Sequence, residues 1–382
     1  MRVRYAVRPA LARVGCCAYT PHMSDLPSAT PARHVITAAL LFLLTAAAPS
    51  PAAGPGGQVP PAQLDAAVDR GLAYLARQQH PDGSFDAYPR EAKEGEGYRM
   101  ATTGLAVLAF LSAGHTPDVG RYGMVVRNAA DSLAAGVPED GYVGKIDGGR
   151  MYGQAIVALA LAQVYGVEPD PQRRVKQFDA LNRMVGVIVK AQDVKKEQVY
   201  AGGWRYEPGA VDSDLSLSGW NALALRAAQD VGVPVPKEAV ARAADFVARC
   251  YVKDRRGFGY TPGGEVRPGT TGTGVLCLYL LDRGERAEAK DGAKSLAERP
   301  VEDDAKYAYY GLFYATQAAW QAGEDVWPAV SRVTLDRLVK LQSPDGGWPK
   351  EPAGSEPGRV YRTAMAVLTL TVPYRLLPVY QR

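Results

Sequence analysis

Apolar residues recur along the chain in two alternating styles. In the first, as at Leu64, Val68, Leu72 and Leu75, they fall three and four residues apart and mark one stripe of a helix. In the second, as in Leu105-Ala106-Val107-Leu108-Ala109-Phe110-Leu111, they are continuous, and a helix apolar on every side belongs in an interior. Between the two styles stands a breaker-rich turn that joins glycine to an aromatic residue. It is read at Gly83-Ser84-Phe85, Gly141-Tyr142, Gly202-Gly203-Trp204, Gly257-Phe258-Gly259-Tyr260 and Gly346-Gly347-Trp348.

The alternation predicts six repeats, each an outer helix, a turn and an inner helix. The inner members are expected over Thr103 to Ser112, Met151 to Tyr165, the stretch from Ser216 through Trp220 and Leu225, Val275 to Leu281, Tyr307 to Trp320, and Thr363 to Leu370. The fifth repeat lacks the glycine-aromatic turn. Inner-helix starts at Thr103 and Thr363 span five intervals, a mean period of 52 residues. Six hairpins whose inner members are buried on all sides close into a ring, so the expected fold is all-α, an α/α toroid with inner and outer rings of helices. The tight turn needs glycine, and the aromatic plugs the gap between adjacent hairpins.

At 382 residues and 47% hydrophobic content the chain is long enough for such a core. Residues 1–53 hold Arg2, Arg4, Arg8, Arg13 and Arg33 against Asp25, which accounts for the whole net charge of +4. The remainder is neutral and carries no basic stripe, so a nucleic-acid partner is not expected. From Met23 the order is Arg33 and His34, a 14-residue apolar run Val35 to Ala48, then small residues and prolines. That order predicts a secretory signal, preceded by an N-terminal extension. The run is short of the ~20 residues of a membrane span, so export without a stable span is the expectation. Residues 54–60 form a linker, and the toroid domain is expected over 61–382. Cys250 and Cys277 read as buried hydrophobes rather than zinc ligands, and the body's two histidines, His80 and His115, offer little for a triad.

Gln342-Ser343-Pro344-Asp345-Gly346-Gly347-Trp348 and Gln79-His80-Pro81-Asp82-Gly83-Ser84-Phe85 resemble the Q-x3-G-x-W motif of squalene and hopene cyclases. Over about residues 61 to 375 the chain is similar to the terpenoid-cyclase and protein-prenyltransferase superfamily, with its prenyltransferase and squalene oxidase repeat. The resemblance implies an α/α toroid and offers two chemistries. Class II cyclases protonate their substrate with the middle Asp of DxDD. Here Asp212-Ser213-Asp214-Leu215 keeps two of the three acids, making Asp214 the candidate donor and Asp212 its partner. Zinc-dependent prenyltransferases instead use D-x-C-Y-S and a histidine on the last inner helix. This chain has Asp214 in place of the Cys and Arg362 in place of that histidine. Arginine cannot ligate zinc, so neither a metal nor any other cofactor is expected.

The residue-level alternative is that Asp212, Asp214 and Ser216 cap a helix. If the helix starts converge as the resemblance implies, Arg362 pairs with Asp212 or Asp214. Trp204, Tyr206, Trp220, Tyr260, Trp348 and Arg362 are the candidate binding residues around those acids. The function expected is a ligand- or partner-binding toroid, taking an apolar isoprenoid, a lipid or a protein, with an isoprenoid cyclase as the alternative.

Overall fold

The computed structural model describes residues 59–88, 98–299, 301, 306–323, 325–350 and 355–381. The signal-like segment and the linker up to residue 58 lie outside them. Residues after position 57 form one compact unit. Among the described residues there are twelve α-helices: α1 Pro61–Gln78, α2 Arg99–Ser112, α3 Gly123–Gly136, α4 Arg150–Tyr165, α5 Pro171–Gln192, α6 Leu215–Asp230, α7 Lys237–Arg249, α8 Pro268–Leu280, α9 Ala287–Glu298, α10 Ala308–Ala322, α11 Trp327–Leu341 and α12 Arg359–Leu370. A two-residue ribbon pairs β1, Tyr251–Val252, with β2, Gly257–Phe258.

The even-numbered helices pack in order, α2 on α4, α6, α8, α10 and α12, and α12 returns to α2. That return closes the inner ring. The odd-numbered helices lie behind it, and α1 backs α12, so the first and last hairpins are interlocked. Burial follows the two sequence styles: α4 is buried at thirteen of its positions, whereas α3 buries five.

The turns join neighbouring hairpins. Gln342 Nε2 donates to Gly346 O in its own turn and to Ala67 O of α1, each at 2.9 Å. Gln192 does the same for Gly202 O and Ala239 O, and Gln79 for Gly83 O and Val125 O. Gly346 has φ +94°, and a Cβ there would come within 2.3 Å of Arg70 O. In four of these turns the aromatic is fully buried and its backbone N–H is held from the inner helix. Trp348 donates to Thr363 Oγ1, Trp204 to Ser218 Oγ, Phe85 to Thr103 Oγ1 and Phe258 to Thr271 Oγ1. In the second repeat Val143, not Tyr142, takes this place, donating to Gln154 Oε1.

These threonines therefore lie one turn inside their helices. The starts of α2 and α12 are Arg99 and Arg359, four residues before the expected Thr103 and Thr363. Both shift equally, so the 52-residue period stands.

Candidate functional site at the mouth of the ring

The first turns of the inner helices gather at one end of the ring. Ser216, at the start of α6, donates to Tyr310 Oη near the start of α10 at 2.9 Å. Asp147, before α4, accepts from Met100 N of α2 at 3.0 Å. At the other end, Ser112 of α2 and Thr371 after α12 share a hydroxyl bond of 2.7 Å.

Asp214 is fully buried and N-caps α6: its backbone is extended, and Oδ1 accepts from Leu217 N–H at 2.9 Å. Its Oδ2 accepts from Arg205 Nη1 at 2.7 Å. The same guanidinium reaches Asp212 Oδ2 at 3.1 Å and donates to Tyr260 Oη at 3.0 Å. It also lies over the Tyr206 ring, 4.8 Å from the centroid, and the Tyr260 ring, at 5.5 Å. Tyr206 and Tyr260 bond hydroxyl to hydroxyl at 3.1 Å. Burial works against the Arg205 charge, but the bond and charge of Asp214 hold the guanidinium above its ordinary pKa. For Asp214 burial dominates and pushes the carboxyl up, against the pull of the Leu217 N–H and Arg205.

Two more buried carboxylates serve the same end of the ring. Asp147 accepts from the N–H groups of Met100 at the start of α2 and Gly149 before α4, and Glu356 Oε1 accepts from Tyr310 N–H in α10 at 2.9 Å. Helices α2, α6 and α10, every second member of the inner ring, thus have an acid at their positive ends. This placement offsets the dipoles that would otherwise draw a diphosphate to the mouth. Half-buried tyrosines complete the surface: Tyr152 stands edge-on to Tyr206, with centroids 6.0 Å apart, beside Tyr310 and Tyr361. Burial and then the Asp214 charge raise the Tyr152 phenol, and burial then Glu356 and Tyr310 raise that of Tyr361.

Below this dish the ring is filled. Trp220 of α6 stacks on Phe313 of α10 across the axis, 6.1 Å apart and 8° from parallel, and Tyr314 meets the indole edge-on. The floor is closed by the chain's own tail. Val379 N–H donates to Gln163 Oε1 of α4, Gln321 Nε2 of α10 donates to Tyr380 O, and the Tyr380 ring packs on Phe313.

The residues singled out from sequence divide accordingly. Asp212, Asp214, Tyr206 and Tyr260 meet at the mouth. The expected pair of Arg362 with Asp212 or Asp214 does not form, because Arg205 pairs with both acids. Arg362 is buried instead in the first turn of α12, where it donates to Pro357 O at 3.1 Å and burial lowers its pKa. Trp204 and Trp348 are sealed between hairpins, their indoles donating to Ile188 O and Leu338 O, each at 2.8 Å. Trp220 belongs to the filled interior. Sequence reasoning passed over Arg205, although it directly follows the turn aromatic and stands seven residues before the first acid. It also passed over Asp147 and Glu356, whose bonding partners lie 47 and 46 residues away. Among the described residues no three His, Cys, Asp or Glu side chains gather as a metal site requires.

This arrangement defines an α/α toroid. Among solved structures it is similar to an inactive variant of the alpha-1,6-mannanase of Salegentibacter sp. HEL1_6 in complex with alpha-1,6-mannotriose, with TM-score 0.60 and 10% identity over 82% of this chain and 99% of that one. It is also similar to a D-mannose isomerase, with TM-score 0.55 and 13% identity over 82% and 98%. A third likeness is to the type II terpene cyclase MstE from Scytonema, with TM-score 0.51 and 14% identity over 83% and 100%. At such identities the likeness shows the fold alone. It does not single out the prenyltransferase and squalene oxidase repeat family. Neither a protein-family model nor a curated protein sequence matches the chain.

Proposed function

We propose that the protein is an exported ligand-binding toroid whose seat is the tyrosine-lined mouth, and that its ligand is a saccharide. The observation that carries this reading is the filled ring. With Trp220, Phe313 and Tyr314 packed across the axis beneath Asp214, an isoprenoid chain has no interior to enter, and a ligand must lie on the dish itself. The dish suits a polyhydroxylated ring: flat tyrosine faces for its C–H side, and Arg205, half-exposed Asp212 and phenol hydroxyls for its hydroxyl groups. The acids at three helix starts argue against an anionic ligand. Mannose-acting neighbours add a fold-level analogy.

Calorimetric titration of the mature protein with alpha-1,6-mannotriose and a panel of other oligosaccharides tests the reading. Saturable binding is expected, weakened at least tenfold by Tyr206→Ala and by Asp212→Asn. Absence of binding across the panel, or binding indifferent to both variants, sinks it.

One observation favours the second reading, a class II cyclase: burial raises the Asp214 carboxyl, as a proton donor requires. Against it, Oδ1 and Oδ2 both accept hydrogen bonds already. Incubation with squalene and with prenyl diphosphates, beside an Asp214→Asn variant, decides between them. A cyclised product lost in the variant would establish the cyclase.

A further inference from the structure

Among the described residues six that are not glycine adopt a left-handed backbone, and two of these open neighbouring inner helices on the rim of the mouth. They are Tyr98, with φ +59°, just before α2, and Arg150, with φ +48°, at the first position of α4. For a bulky aromatic this conformation is an outlier, kept against a free-energy cost and concentrated at functional sites. Tyr98 has no structural task to offset it. Its side chain makes no capping bond, because Asp147 takes the Met100 N–H of that turn. The residue is 41% exposed, and among the described residues its ring stacks on no other ring and its hydroxyl bonds to no group.

The neighbourhood of the ring is open and polar. Gly148, in the turn before α4, lies beside it: a Cβ there would come within 3.7 Å of the Tyr98 ring and meet nothing else within 4 Å. Three residues further on, Met151 N–H donates to Tyr206 O at 3.1 Å. Gly148 and Met151 are thus three residues of backbone apart, about 10 Å at full stretch, and carry Tyr98 at one end and Tyr206 at the other. On the same stretch Arg150 Nε meets Glu207 Oε1 at 3.2 Å, both side chains being more than half exposed. Tyr142 Oη donates to Glu207 Oε2 at 2.9 Å.

We propose that Tyr98 is the platform of a second sugar subsite, so that the mouth takes a linear oligosaccharide, with one unit on Tyr206 and the chain passing Gly148 onto Tyr98. The inference rests on the saccharide reading of the mouth and narrows it from a sugar to a chain of sugars. An exposed phenol face stacks on the C–H side of a pyranose, while Arg150 and Glu207 supply a donor and an acceptor for its hydroxyl groups. The two charges offset each other, which suits an uncharged chain. Glycine at position 148 leaves the passage between the two rings clear. The left-handed backbone fixes where the Tyr98 ring begins, so an unpacked ring is still positioned.

The test is calorimetric titration of the mature protein with alpha-1,6-mannotriose, maltotriose and cellotriose, each beside its monosaccharide. A trisaccharide is expected to bind at least tenfold more tightly than its monosaccharide. Tyr98→Gly relieves the left-handed backbone and should melt no lower than the native protein, yet weaken the trisaccharide at least fivefold and leave the monosaccharide within twofold. Tyr98→Phe keeps the ring and should hold the trisaccharide within twofold of the native affinity. If none of these sugars binds, the inference falls together with the saccharide reading. If a trisaccharide binds and is weakened by Tyr206→Ala but not by Tyr98→Gly, the inference alone is overturned and the seat on Tyr206 stands. Equal weakening of trisaccharide and monosaccharide by Tyr98→Gly, or a Tyr98→Gly protein that melts well below the native one, overturns it as well.

Discussion

Replacing Asp214 separates its two jobs. Its Oδ1 caps α6, a contribution of about 1 kcal/mol, and its Oδ2 takes one charge-assisted bond from Arg205, about 1.5–3 kcal/mol in general. Arg205 is a quarter exposed and keeps Asp212 at 3.1 Å, so the lower part of that range applies. Asp214→Ala loses both bonds and is expected to destabilise by about 2–3 kcal/mol. Asp214→Asn has a single acceptor oxygen: kept on the Leu217 N–H it preserves the cap, its NH2 then faces Arg205 so that bond is lost while a buried charge is relieved, and about 1 kcal/mol net is expected. In a unit of this size 1 kcal/mol moves the melting temperature by about 1.5 °C, which gives drops of about 3–5 °C for Ala and 1–2 °C for Asn in a thermal scan. The pH dependence carries the sign. A carboxyl raised by burial contributes stability that is present below the unfolded value of 3.8 and lost as pH climbs through the folded one. The advantage of the native protein over Asp214→Asn should therefore be larger near pH 4 than near pH 8. An advantage that grows with pH would mean that Arg205 and the cap outweigh burial, and an Asn variant as damaged as Ala would refute the cap.

Three further outcomes are expected. Because the ring closes, Gln342→Leu at the junction of last and first hairpins should lower the melting temperature as much as Gln192→Leu inside the ring, each by about 2–4 °C for two lost carbonyl bonds; a silent Gln342→Leu would indicate an open array. Gly346→Ala puts a Cβ 2.3 Å from Arg70 O at φ +94°, and a loss of at least 2 kcal/mol in urea titration is expected, whereas Gly209→Ala, with nothing within 4 Å, should be nearly neutral. Burial lowers the His115 pKa below 6.5, so its neutral form contributes stability above that value which is lost as pH falls, and His115→Phe should flatten the melting curve between pH 5 and 7.

Much of the architecture was legible because it repeats. Leu64 to Leu75 and Leu105 to Leu111 differ in periodicity for the same reason they differ in burial: one helix faces the ring on a single side, the other is surrounded. Helix starts were displaced because Arg99 to Thr102 and Arg359 to Arg362 mix polar and apolar residues, and the threonines that look like caps are bonded to the turns instead. The mouth was half legible. Asp212 and Asp214 stand out by spacing, but which cation meets them depends on how the turn before α6 folds back, and Arg205 is nearer than anything on α12. Asp147, Glu356 and the Tyr380 plug act on helices far along the chain, and no local pattern marks them.

The interlock of α1 with α12 has a bearing on synthesis. The oily stripe of Leu64, Val68, Leu72 and Leu75 emerges among the first parts of the body, yet the helix it must cover is made nearly three hundred residues later. At ribosomal speeds of about 5–20 residues per second, the nascent chain spends many seconds with that edge uncovered. A polypeptide built this way keeps that edge uncovered until its last helix arrives, which makes prematurely terminated chains prone to clump.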